Sequence, residues 1–106
     1  MIFRPLTPLM HDVLRAVDEL TVGDTYEVSA FQIAKRISKW NPYVLVTVRR
    51  YDGINVRTMP SSQRILSPLV ALRSRGLLDM YTPKRESSRY RLTPAGVSLL
   101  NHPTLL

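Results

Sequence analysis

Apolar positions along this chain repeat with periods that predict its elements. Leu9, Met10, Val13, Leu14, Val17 and Leu20 recur at helical spacing and form one stripe of a first helix that ends before Gly23. Thr7 offers a hydroxyl to a free first-turn N–H, and Pro8 suits the first helical position. Tyr26-Glu27-Val28 leaves room only for a small strand. Ser29 then opens a second helix, with Gln32 three residues on to complete a capping box. Ala30, Ile33, Ala34, Ile37 and Trp40 share its inner face, while Gln32, Lys35 and Lys39 point away. Asn41-Pro42 ends it, because proline drives the residue before it out of the helical region.

Residues 43–59 read as a β-hairpin. Tyr43 to Val48 is rich in β-branched and aromatic residues, Asp52-Gly53 is a favoured tight-turn pair, and Ile54 to Met59 can return. A third helix falls between Ser61 and Arg75, with Ile65, Leu69 and Leu72 inward and Gly76 placed for a left-handed cap. Pro68 interrupts it, since an interior proline removes a hydrogen bond and clashes with the preceding turn. Either the helix starts late, on Ser67 and Pro68, or its first turn is kinked or irregular. Pro60-Ser61-Ser62-Gln63 resembles a helix start and favours the irregular turn. Leu77 to Tyr81 and Arg89 to Leu92 form two short strands around a polar loop, residues 82–88. Thr93-Pro94 repeats the Thr-Pro start and opens a fourth helix with Val97, Leu99 and Leu100 as its apolar residues.

Helix, tiny strand, helix, helix and basic-tipped hairpin is an order that resembles the winged helix-turn-helix family, with MarR-like and PadR-like regulators as the nearest types. Leu69, Leu72, Gly76, Leu77 and Leu78 are similar to that family's exit from its third helix, and Tyr90, Leu92, Thr93 and Gly96 to its way out of the wing. The resemblance covers about residues 7–40 and 61–100. It implies an α+β, mostly α fold: one winged-helix domain over 1–106, with residues 41–60 inserted as a β-hairpin between helices 2 and 3. The family joins those helices by a tight turn, so the insertion is a departure, and so is Pro68.

Length and composition fit that expectation. At 106 residues, 44% of them hydrophobic, the chain can bury a core without staples, and it has no cysteine for a disulfide or thiolate site. No apolar run reaches signal-peptide or membrane-spanning length, so a cytoplasmic protein away from the membrane is expected. The formal charge of +7 is unevenly spread. Arg4 and Arg15 face Asp12, Asp18, Glu19, Asp24 and Glu27 in residues 1–28, a balance of −3, which leaves +10 for residues 29–106. A basic body with one mildly acidic element is the footprint of a nucleic-acid binder.

In the family the third helix enters the major groove of double-stranded DNA. Helical projection turns Gln63, Arg64, Ser67, Val70, Ala71 and Ser74 outward. Gln63 can pair with adenine, Arg64 with guanine, and Val70 or Ala71 can meet a thymine methyl. Arg73 and Arg75 flank that face, where phosphates lie. Lys84, Arg85 and Arg89 make the wing basic, and Lys35, Arg36 and Lys39 do the same for the second helix. Arg49, Arg50 and Arg57 on the hairpin fit an extra DNA contact, a dimerisation arm or a partner site, and the arginines favour DNA.

Catalytic chemistry finds little here. His11 and His102 are the only histidines, and there is no metal-ligand spacing, phosphate-binding glycine loop or nucleophile–base set. No catalytic residue, metal or cofactor is expected, and no enzyme activity. Ile2, Phe3, Leu6, Leu99, Leu100, Leu105 and Leu106 put apolar groups at both chain ends, and a homodimer is the expected way to cover them. The sequence therefore predicts a homodimeric, DNA-binding transcriptional regulator. A winged helix serving as a protein-interaction module, or an accessory replication or partition protein, fits the same pattern.

Overall fold

The computed structural model describes residues 5–23, 26–49, 56–84 and 86–101. Helix α1 spans Pro8–Leu20; Thr7 Oγ1 accepts from the Met10 N–H at 3.2 Å and Pro8 takes the first turn, as the sequence predicts. Strand β1, Val28–Ser29, runs straight into helix α2, Ala30–Ile37. Its capping box closes both ways: the Gln32 N–H donates to Ser29 Oγ at 3.3 Å, and Gln32 Oε1 accepts from the Ser29 N–H at 2.9 Å. The helix stops at Ile37, short of the predicted Trp40. Trp40 and Asn41 N–H groups fold back onto the Ile37 carbonyl, both at 2.8 Å.

Asn41 then caps a 3-10 turn, Pro42–Val44, with its side chain accepting from the Tyr43 N–H at 3.0 Å. Tyr43 is thus in a turn rather than in the predicted strand. Proline fixes the torsion of the first turn residue, and the Asn41 side chain holds the next N–H. The hairpin that follows pairs β2, Leu45–Arg49, with β3, Val56–Pro60, in register from Leu45↔Pro60 to Arg49↔Val56. Asp52-Gly53 and Ile54 lie outside the described residues.

A second 3-10 turn, Ser62–Ile65, leads into helix α3, Leu66–Ser74. This is the irregular first turn that Pro68 calls for. As the third residue of α3, Pro68 stands where backbone N–H groups have no intrahelical acceptor, so its missing donor costs nothing. It is buried beside Leu69 and Leu72. The exit is a complete left-handed cap. Gly76 has φ +72, its N–H reaches the Arg73 carbonyl, and the Leu77 N–H reaches that of Leu72, both at 3.0 Å.

Strands β4, Leu78–Tyr81, and β5, Arg89–Leu92, form an antiparallel pair, and β1 adds to the far side of β5, giving the order β1-β5-β4. Tyr90 sits in the middle strand with Met80 on one side and Val28 on the other. Helix α4, Pro94–Asn101, follows at once. Thr93 opens it as Thr7 opens α1, with Oγ1 accepting from the Gly96 N–H at 3.1 Å. Val97, predicted on the apolar face, is 42% exposed; Gly96 is the buried residue instead, because the helix is pressed against the Leu77 backbone.

One core gathers α1, α2, α3 and the sheet: Val13, Leu14 and Val17 meet Ile33 and Ile37, then Ile65, Leu69 and Leu72, with Leu78 and Tyr90 as the floor. Leu6, Leu99 and Leu100 are half-buried against it. Among the described residues this is an α+β fold of four α-helices with small antiparallel sheets. No helix among them is long and apolar enough to cross a membrane.

Candidate nucleic-acid interface

Helix α3 presents Leu66, Ser67, Val70, Arg73 and Ser74 to solvent. The segment Ser62–Ser74 contains no acidic residue. Ala71, predicted to face out, is half-buried. Pro68 moves the buried face round toward it, since these two lie on the same flank of the wheel. Gln63 and Arg64 do not stand on α3 at all. They occupy the 3-10 turn before it, both exposed, and the Arg64 guanidinium rests over the Tyr43 ring at 5.2 Å. Together Arg64, Tyr43, Ser67 and Pro68 line a depression of about 250 Å³ with Thr7, Leu9 and Met10 of the α1 end. Arg73 leans from the helix toward the sheet, with Nη1 3.8 Å from Met80 Sδ.

Helix α2 carries the next cations. Lys35 and Lys39 are exposed on the walls of a shallow hollow shared with Leu20, Gln32 and Arg36. Arg36 belongs to an ion-pair chain instead: Nε lies 2.9 Å from Glu19 Oε2, and Arg15 Nε lies 3.3 Å from Glu19 Oε1. Partial burial pushes the Glu19 carboxyl up, but the hydrogen bond and charge of Arg36, then those of Arg15, outweigh it and hold the group below its ordinary range. Arg15 also covers the Trp40 ring at 4.2 Å. The acidic stretch of α1 thus neutralises a cation of α2 and leaves Lys35 and Lys39 facing outward.

The loop between β4 and β5 is less basic than its sequence. Lys84 is exposed, Arg89 is half-buried and 3.8 Å from Glu86, and Arg91 is 3.6 Å from Asp79. Arg85 lies outside the described residues, and so does Arg50. The hairpin is held at its foot: Thr82 and Ser88 hydroxyls bond at 2.8 Å, and Tyr81 Oη donates to the Glu27 carboxylate. That bond, with partial burial and the Glu27 charge, raises the Tyr81 phenol. Burial raises Tyr90. Arg49 and Arg57 stand exposed on β2 and β3.

The predicted cations and polar residues thus fall on four elements: α2, the turn and helix of α3, the β4–β5 hairpin and the β2–β3 hairpin. Leu66, exposed beside Val70, was not legible as a surface residue, because burial rather than spacing decides which side of a short apolar run faces out. Arg57 stands across β2–β3 from the predicted Arg49, one register step away. Comparison with protein-family models, with curated proteins and with solved structures finds no match for this chain. Chemistry has to be read from the residues alone. Among the described residues no three His, Asp or Glu side chains come together as metal ligands, and no polar or charged side chain is buried. What the arrangement offers is a helix with an exposed, acid-free face, in a chain whose α2, β2–β3 and β4–β5 elements also carry exposed cations.

Proposed function

We propose that this chain is a winged-helix protein that binds double-stranded DNA as a homodimer and regulates transcription, without enzyme activity. The observation that carries the proposal is the exposed, acid-free face of α3, a helix that packs on β4 and whose entry turn packs on α2, with exposed Lys35 and Lys39 on α2 and Lys84 in the β4–β5 loop. The sheet order β1-β5-β4 supports it, since a winged helix pairs its two wing strands after the third helix and closes them with the short strand before the second. An α-helix fits the major groove, and its outer side chains can then meet base edges. Ser67 and Ser74 supply hydroxyls, and Val70 a methyl surface for thymine. Lys35, Lys39 and Lys84 fit phosphates, which fix register and carry most of the affinity. The half-buried Leu99 and Leu100, with Val97 exposed on α4, are the surface proposed for the dimer.

The test is selection of bound fragments from a random duplex pool, followed by a salt titration on the selected site. Enrichment of a sequence with two-fold symmetry, and affinity falling by roughly 0.9 log units per log unit of salt for each phosphate neutralised, is the expected result. No enrichment, and no binding even at low salt, overturns the proposal.

A further inference from the structure

We propose that the β2–β3 hairpin is a second DNA-contacting arm, a two-stranded ribbon that lies along a groove beside α3; this rests on the duplex-binding function proposed above. The arm leaves the body half-way along its length. Leu45, Val46, Met59 and Pro60 are half-buried, while Thr47, Val48, Arg49, Val56, Arg57 and Thr58 are all exposed. An isolated hairpin with its distal half in water gains little from packing. Its composition therefore has to be explained by something other than the core.

The charge is one-sided: the ten residues of β2 and β3 include two arginines and no acid. Arg49 and Arg57 form no ion pair within the described residues, unlike Arg15, Arg36, Arg89 and Arg91. Cross-strand register sets Arg49 opposite Val56 and Val48 opposite Arg57. Residues opposite one another share a face and neighbours along a strand alternate, so each face of the distal arm carries one arginine and one valine. A ribbon that packs on a protein wants one apolar face. A ribbon in a groove has a phosphate wall on either side and base edges between, and a cation on each face suits that. The B-DNA major groove, about 12 Å wide, admits such a two-stranded ribbon.

Attachment places the arm where it can act. Its base is closed by the Ser61 N–H on the Val44 carbonyl at 2.8 Å. From Pro60, Ser61 alone separates β3 from the turn Ser62–Ile65 that carries Gln63 and Arg64 into α3. The arm therefore springs from the same end of α3 that a recognition helix turns to the bases.

The experiment compares the unmodified protein with the double variant Arg49→Gln/Arg57→Gln and with Arg49→Lys/Arg57→Lys, on a mixed-sequence DNA duplex over a range of salt. Expected is a drop of about 1–2 in the log–log salt slope for the glutamine pair, since each phosphate contact contributes about 0.9, with the slope largely kept by the lysine pair. Unmodified protein that binds, together with a glutamine pair of unchanged slope and affinity, overturns the arm and leaves the α3 proposal standing. Unmodified protein that does not bind overturns both. Unchanged DNA affinity with a loss of dimer in sedimentation assigns the arm to a second copy of this chain and overturns the inference too.

Discussion

Gly96 packs against the carbonyl of Leu77 so closely that a Cβ on it would overlap the oxygen, with Leu92 Cδ2 at 3.2 Å behind. The backbone there cannot retreat easily, because the same Leu77 carbonyl accepts from the Thr93 N–H at 3.2 Å. Gly96→Ala should therefore lower stability by about 1–3 kcal/mol through overpacking. Thermal unfolding measures it, and the control is Gly23→Ala, where nothing lies within 4 Å and only the left-handed φ of +61 is strained. A larger loss at Gly23 than at Gly96 would show that the contact between α4 and the exit of α3 is loose.

Thr93 ties the same junction by its side chain. Oγ1 donates to the Gly76 carbonyl at 2.6 Å and accepts from the Gly96 N–H. Thr93→Val keeps the shape and loses both bonds, so it should cost about 1–2 kcal/mol, whereas Thr93→Ser should recover most of that. Urea unfolding of the three proteins orders them; equal midpoints for valine and threonine would show that water replaces the cap at no cost.

Acid should weaken the fold through Glu19. Its carboxyl is held below the ordinary range by Arg36 and Arg15, so the folded state favours the charged form. A lowered folded value contributes stability that is present above the ordinary glutamate pKa and lost as pH falls through the folded one. Glu19→Gln should lower stability near neutrality, where the charged form makes its full contribution, flatten the acid limb, and converge with the unmodified protein at low pH. Identical limbs in the two proteins would remove Glu19 from the account.

Alkali acts in the opposite sense through Tyr90. Burial raises its phenol, so its contribution is present below the ordinary tyrosine value and is lost as pH climbs through the raised one. Ultraviolet titration should show two tyrosines, Tyr81 and Tyr90, ionising late, and Tyr90→Phe should leave only one of them. A single ordinary transition for all five tyrosines would contradict the packing of Tyr90 between β1 and β4.

Base reading and positioning should separate along the chain if the proposed function holds. Ser67→Ala and Val70→Ala alter the exposed face of α3 and should lower preference for a selected site over a scrambled one. Arg64→Ala alters the turn over Tyr43, and Lys35→Gln alters α2; both should weaken the two sites alike. A good base contact contributes roughly 1–3 kcal/mol of discrimination, which quantitative binding to both duplexes resolves. Arg64→Ala acting on the selected site alone would place base reading on the turn.

Local signals were legible and distant pairings were not. Thr7-Pro8, Ser29 with Gln32, Thr93-Pro94 and Gly76 each act within a few residues, so spacing alone revealed the cap. The hairpin was visible for the same reason, since β2 and β3 are neighbours in sequence. The late start of α3 was harder, because a 3-10 turn and a first α-turn use the same residue types, and burial of Pro68 decides between them. Pairing of Val28 with Tyr90, and of Arg91 with Asp79, depends on where the folded chain brings them. The β4–β5 hairpin consequently looks more basic in sequence than its ion pairs leave it.

The closed foot of the β2–β3 arm changes what the long connection between α2 and α3 costs. Leu45 pairs with Pro60, so the chain leaves the body and re-enters it one strand spacing away, about 5 Å. To the helices, everything beyond that pair is a tight turn, and the entropy of closing the connection is set by the few residues outside the ladder rather than by its full length. Residues can be added to or taken from the far end of the ribbon without moving α2 relative to α3. The length of this arm is thus free to vary while the helical pair beneath it stays fixed.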